Sequence, residues 1–412
     1  MMMIDPSSSA RHRGSFLPKI PADILPIIFQ HLDIKDILRF ELAIFHHPIL
    51  HENWKKIVKR IISPDYHCET VLSTSDAGTD EVTCMQLLTN GKLVAGFENG
   101  IIQIWNLETL TCDLTWSTGS EIHCLAVLSD GRFVSGCNNG VVSIWSSITG
   151  ECERLYSELN EEVWSFVNAN DDLLIVRYES SLFLWDLISN TKTVLCRGSL
   201  TNALLLPDRK LVLIETRGLL RIMNLETNQN EVEWEISSPT VHYMRVVSNG
   251  KLATISLGTL IQLWDLTTGK AEGYLEVKHQ PRCAAHFLSN DRFALFSNAG
   301  LSLYNLLTLE CLWRAPASLA RKVLELADGR LAVGSGDYSL NIWDLEKARQ
   351  ERELLDHDDL IKAILQLPDG RIVTAAEDET IRIWKECDAA AVNRSDIVVD
   401  ILYANLSNST VI

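Results

Sequence analysis

The sequence predicts an all-β protein, an eight-bladed propeller, with a small all-α module ahead of it. Three observations lead there. A marker residue returns along the chain as Trp105, Trp145, Trp185, Met223, Trp264, Tyr304, Trp343 and Trp384, at intervals of 40, 40, 38, 41, 40, 39 and 41 residues. Each interval is filled by short β-type runs separated by turn residues, and self-similarity at that period marks propeller blades rather than helical repeats. Ahead of residue 63 the apolar spacing changes from strand-like to helix-like.

The first complete copy shows how a blade is built. Residues 82–88 read as a first strand, Asn90-Gly91 as a tight turn, 93–97 as a second strand, 98–100 as a second turn and 101–105 as a third strand. A fourth strand follows at 112–116, and at 152–156 in the next copy. The run 68–73 precedes the first copy and resembles a fourth strand, whereas nothing comparable follows Trp384. The N-terminal run is therefore predicted to complete the last blade and close the ring over residues 66–386.

Ahead of the ring, residues 1–16 carry charge and serine without an apolar core, which predicts a disordered lead-in and no secretory signal. Residues 17–62 read as three helices. Ile24, Ile27, Ile28 and Leu32 form one apolar stripe, with Pro21 suited to a first turn and Asp23 to the positive end of the helix dipole. A second helix spans 36–45, ending before Pro48. The third, 52–62, sets Trp54, Ile57, Val58 and Ile61 against Lys55, Lys56, Lys59 and Arg60. So short a module cannot bury all its apolar surface alone, so the propeller or a partner must cover it. Residues 387–412 form a C-terminal tail.

Composition bounds the function. With 46% apolar and 22% charged residues the 412-residue chain buries a large core, and no apolar run is long enough to cross a bilayer. Net charge is -17. Residues 1–62 hold nine Lys or Arg against six Asp or Glu, leaving about -20 on the remainder. An acidic body of this kind excludes nucleic acid and anionic membrane as expected partners. None of the ten cysteines forms a C-x-x-C pair. Several occupy repeat-equivalent places, Cys84 with Cys124 and Cys112 with Cys152 and Cys311, so they are expected to be small buried hydrophobes in reduced form, in a cytoplasmic or nuclear protein. His46-His47 beside Pro48 reads as a helix end rather than a metal site. No phosphate loop, nucleophile elbow, H-E-x-x-H or paired-carboxylate pattern is present, so neither enzyme activity, a cofactor nor a metal is expected.

The residues also carry two family resemblances. Trp185-Asp186, Trp264-Asp265 and Trp343-Asp344 close third strands as in the WD-repeat family, with Asp337 and Asp378 in the preceding turns and His357 as the best remnant of its Gly-His. Other copies depart from the pattern: Trp105 is followed by Asn106, Trp145 by Ser146 and Trp384 by Lys385. The N-terminal order Ile20-Pro21, Asp23-Ile24-Leu25, Ile28-Phe29, Leu32, Asp36-Ile37-Leu38 resembles an F-box, with Leu17-Pro18 as a competing register for the opening pair and a weaker match beyond Arg39.

Together these resemble F-box/WD-repeat substrate receptors of Skp/cullin/F-box ubiquitin ligases. The resemblance implies that Ile24, Leu25, Ile28, Phe29, Leu32 and Leu38 hold the Skp adaptor, and through it cullin, while the propeller face holds a protein substrate. Chemistry would then come from proximity to the conjugating enzyme, not from this chain. Two alternatives stand beside it: a WD-repeat scaffold without ligase association, and a microbial effector that borrows a host ubiquitin ligase in the host cytoplasm.

Candidate substrate residues follow from one counted position, eight residues before the first turn's glycine or its equivalent, which in propellers of this family opens onto the channel mouth. It gives Thr83, His123, Trp164, a residue near Thr201, His242, Arg282 or Cys283, Arg321 and Lys362. Blades six to eight thus point Arg282, Arg321 and Lys362 at one sector, where arginines of related receptors hold phosphorylated segments. His123, Trp164 and His242 line the rest, with Tyr243 beside them.

Overall fold

The structure, a computed structural model, describes residues 66–73, 81–157, 161–170, 172–198, 200–206, 208–216, 218–236, 241–256, 260–277, 285–297 and 299–386. The lead-in, the helical module with its six adaptor residues, and the C-terminal tail lie outside the described residues, as do Arg282 and Cys283.

The described chain forms eight four-stranded antiparallel sheets. Seven are made of four consecutive strands, blades 1 to 7 at residues 82–117, 122–156, 163–197, 200–235, 241–276, 285–315 and 320–354. Blade 8 combines the strands of 361–386 with Tyr66–Ser73, so the expected closure is present. Thr70 pairs with Ile383 and Val71 with Arg382, and Arg371 reaches Glu69 at 3.2 Å.

Strand periodicity explains the core. Second strands such as Leu93–Phe97 and Phe133–Cys137 are buried along their whole length, because both faces of a blade are covered by its neighbours. Apolar residues accordingly gather into eight clusters, each between two adjacent blades. The one joining blades 2 and 3, for example, sets Val134, Val142 and Ile144 against Val163, Leu174 and Trp185. Outer strands reinforce the joints: Tyr156 of blade 2 lies edge-on to Trp185 of blade 3 at 4.3 Å and donates its hydroxyl to the Asn190 carbonyl at 2.9 Å. Outer-strand faces themselves meet solvent. Cys112 and Cys152 are exposed there and Cys311 is half-buried, which corrects the expectation of buried thiols.

Three marker tryptophans, Trp145, Trp264 and Trp384, are tied across the blade by hydroxyls. Trp384 donates its indole N–H to Thr374 at 2.8 Å, and Thr374 in turn meets His357 Nε2 at 2.7 Å. His357 Nδ1 lies 2.8 Å from Asp378. Burial pushes the imidazole pKa of His357 down, more than Asp378 pushes it up, so the ring is neutral and donates from Nδ1. Burial raises the Asp378 carboxyl, but hydrogen bonds from His357, Thr380 and the Asp358 backbone outweigh it and hold the group below the ordinary range.

Blade joints are not equivalent. The residue pairing with the third position of each first strand is glycine in blades 1, 2 and 7: Gly96 faces Cys84, Gly136 faces Cys124 and Gly334 faces Lys322. A Cβ on Gly96 would come 2.6 Å from Ile122 of the next blade, one on Gly136 2.5 Å from Val163, and one on Gly334 3.0 Å from Ile361. In blade 3 the same place holds Arg177, in blade 4 Ile214 and in blade 5 Ile255. Blades joined through glycine lie with their first strands against each other, whereas the described first strands of blades 3 and 4 make at most marginal contact.

Candidate functional site

At six of the eight joints the first strands of adjacent blades meet, whereas among outer strands only those of blades 7 and 8 do so among the described residues, so the first strands ring the axis. Seven first strands share one irregularity. Pairing with the second strand jumps between the first and third residues, at Val82/Cys84, Ile122/Cys124, Val163/Ser165, Leu200/Asn202, Val241/Tyr243, Ala320/Lys322 and Ile361/Ala363. The residues left out of the ladder are Thr83, His123, Trp164, His242, Arg321 and Lys362, as counted from the sequence, and Thr201, where the count gave only the neighbourhood. A bulge bends the strand and re-aims the skipped side chain. The eight-residue count thus finds a row of bulged positions around the mouth.

What these side chains do differs by sector. Thr83 is consumed by structure, donating to the Gly96 and Ile122 carbonyls. His123 Nε2 sits 3.3 Å from Glu121, and Nδ1 4.0 Å from Glu162. Lys362 is also engaged, 2.5 Å from Glu377 and 3.6 Å from Glu81 of blade 1. Burial pulls the Lys362 pKa down, but those two carboxylates outweigh it and hold it above the ordinary lysine range. Arg321 is exposed and makes no ion pair among the described residues.

Beside it lies Lys322, which sequence counting passed over because it falls one place after the bulge. Its side chain is solvent-exposed, yet the surrounding ring removes part of its solvation, so its pKa is lowered by desolvation first and by Lys362 second. Blades 7 and 8 therefore bring together Arg321, Lys322 and Lys362.

Across the ring, Trp164 is 46% exposed and the Arg177 guanidinium lies over its ring, 5.2 Å from the centroid. Burial lowers the Arg177 pKa. His242 is exposed at the same mouth, its pKa lowered by desolvation and then by Arg177. Asn202 of blade 4 donates to the His242 carbonyl at 2.8 Å. Arg177 was missed in the sequence, although the glycine at its place in three other copies was the signal. Among the described residues no group of His, Cys, Asp and Glu is arranged to hold a metal ion.

With this geometry in place, comparison with known proteins gives the class. Residues 67–106, 109–146 and 349–385 match the WD domain, G-beta repeat. These segments fall on blades 8, 1 and 2, within the arc of glycine joints. The F-box is not among the families matched. No curated protein matches the chain. Among solved structures, the crystal structure of the C-terminal WD40 domain of Sif2 superposes with a TM-score of 0.65 at 18% identity, covering 79% of this chain and 99% of that one. The computationally designed Ika8 protein gives 0.63 at 18% identity, covering 74% and 96%. At that identity the likeness is one of fold. The chain is an eight-bladed β-propeller in which three segments match the WD repeat.

Proposed function

We propose that the chain is a substrate receptor that holds a protein at the propeller mouth and brings it to a Skp/cullin/F-box ubiquitin ligase. The observation that carries the mouth reading is the clustering of Arg321, Lys322 and Lys362 on blades 7 and 8 of a body with a net charge of about -20. Long-range repulsion disfavours acidic segments elsewhere on such a body, so a local cationic sector selects where one docks. Guanidinium and ammonium groups suit an acidic or phosphorylated segment. The ligase reading is supported by the residue order from Ile20 to Leu38, which lies outside the described residues.

Mass spectrometry of what co-purifies with the intact chain tests both halves. Skp and cullin are expected, and are expected to vanish with Leu25→Asp plus Phe29→Asp while the melting temperature stays put. Arg321→Glu with Lys362→Glu is expected to release the substrate and retain the adaptor. Retention of substrate by that double reversal would remove blades 7 and 8 from recognition. Absence of Skp and cullin from the wild-type preparation would leave a scaffold without ligase association.

A further inference from the structure

The turn between second and third strands is built alike in several blades. Its last residue donates its N–H to the carbonyl three residues back and takes a positive φ. Gly100, Gly140 and Gly218 do so in blades 1, 2 and 4, at φ 80°, 83° and 80°. Glycine suits the place because a β-carbon is disfavoured there, and one on Gly100 would lie 2.6 Å from the Ser120 carbonyl oxygen. In blade 7 the place belongs to Tyr338, at φ 69°, with its N–H on the Ser335 carbonyl at 3.2 Å. Blade 8 likewise sets Glu379 at φ 59°. A bulky residue persists in that region only where its surroundings hold it. Here a polar network does: Asp337 accepts from the Ser339 backbone and hydroxyl and from Ser318, while Asn341 donates to Ser335 and Ser339 and accepts from Gln350. The tyrosine so held is 40% exposed. Leu319, 43% exposed, is tied to the same turn, its carbonyl accepting the Gly336 N–H at 2.7 Å. Arg321 sits at the foot of the turn, since its neighbours Ala320 and Lys322 pair with Ser335 and Gly334.

We propose that Tyr338 and Leu319 form an apolar clamp beside Arg321 and Lys322, so that the protein segment taken by blade 7 carries a bulky aliphatic side chain next to its anionic one. That role rests on the proposed reading of the mouth and gives it a specificity. Charge complementarity names the anion: Arg321 and Lys322 are exposed on a body with a net charge of about -20, and the fork of Arg321 suits a carboxylate or a phosphate. The ring and the leucine name its neighbour. Tyrosine offers a large apolar surface at little conformational cost, and a turn held by its own hydrogen bonds has already lost the freedom that binding would otherwise remove. A cationic side chain also favours the face of a ring, but Arg321 and Lys322 repel it, which leaves an aliphatic one. Blades 1, 2 and 4, with glycine at the same place, present no side chain there.

The test uses the intact chain and a labelled acidic peptide, Glu-Glu-Glu-Leu-Glu-Glu-Glu, beside its counterpart with glycine at the centre. Binding is read by fluorescence anisotropy. The leucine peptide is expected to bind about fivefold tighter. Tyr338→Gly installs the residue of blades 1, 2 and 4, so it is expected to keep or raise the melting temperature while abolishing that preference. Leu319→Ser is expected to reduce the preference, and Arg321→Glu with Lys362→Glu to weaken both peptides about tenfold. Phosphoserine in place of the glutamate before the leucine tells a phosphate from a carboxylate as the neighbouring anion, and the leucine preference is expected with either. Equal binding of the two peptides, both weakened by the double reversal, would overturn the clamp and spare the reading of the mouth. No binding of either at millimolar concentration would overturn both. A Tyr338→Gly variant that melts lower and keeps the leucine preference would make the ring a part of the fold and overturn the clamp.

Discussion

Ala95→Ser is expected to stabilise the propeller, because blade 1 lacks a hydroxyl that other blades have. Trp145 donates its indole N–H to Ser135 at 2.8 Å, Trp264 to Thr254 at 2.9 Å and Trp384 to Thr374 at 2.8 Å. Strand register puts Ala95 at the equivalent place for Trp105, and the Trp105 N–H is buried without a partner. Directly opposite Ala95 is Gln103, whose Oε1 is also buried and unsatisfied. A serine hydroxyl accepts one hydrogen bond and donates another, so a single side chain serves both orphans.

Each unsatisfied buried group costs about 1–3 kcal/mol, and burying a hydroxyl takes back part of the gain, so a net stabilisation of about 1–2 kcal/mol is expected. Near 2 °C per kcal/mol for a chain of this size, that is roughly 2–4 °C in melting temperature. Urea denaturation and scanning calorimetry measure it. The gain should vanish in the Trp105→Phe background, and Thr254→Ala in blade 5 should lose a comparable amount. A serine variant no more stable than the parent, or a Thr254→Ala variant without loss, would refute the reasoning.

Three further outcomes are expected. Stability should fall with acid in two stages: between the lowered folded pKa of His357 and 6.5 the unfolded chain binds a proton that the folded ring refuses, and below 3.8 the same holds for Asp378. His357→Gln should flatten the first stage in urea titrations at pH 5 and 7.5. Gly136→Ala should cost about 1–3 kcal/mol by forcing blades 2 and 3 apart, with partial recovery in the double variant carrying Val163→Ala, read by denaturation. A chain starting at residue 76 should expose the edge of Thr380–Glu386 and aggregate in light scattering, whereas one starting at residue 63 should not.

How much of this was legible in sequence depends on whether the cause was local. The blades were, because each repeats its own strand and turn chemistry, and Cys152–Tyr156 came out with its observed ends. Closure was too, since the run before the first copy had no other blade to join. Counting located the mouth row but gave no reason for it, because a bulge is a fact of pairing register between two strands. Cys112 and Cys152 were misjudged because sharing a repeat position says nothing about which side of the outer strand a residue faces. Lys362 was counted as available charge, yet one of its acids, Glu81, reaches it only once the ring is closed. Lys322 escaped because its electrostatic neighbour Lys362 lies in another blade, and Arg177 because its place over Trp164 depends on the pairing register of two strands.

Joining the two ends of the ring in one sheet imposes a schedule on synthesis. The strand Tyr66–Ser73 leaves the ribosome about 310 residues before Ile383, the partner of Thr70. At roughly 5–20 residues per second it waits about 15–60 s with its backbone groups unmatched. Blades 1 to 7 draw on consecutive strands and can assemble as they emerge, so the first described strand made is among the last to be placed. During that interval YHCETVLS is a free β-forming segment, and the yield of finished rings depends on what shields it.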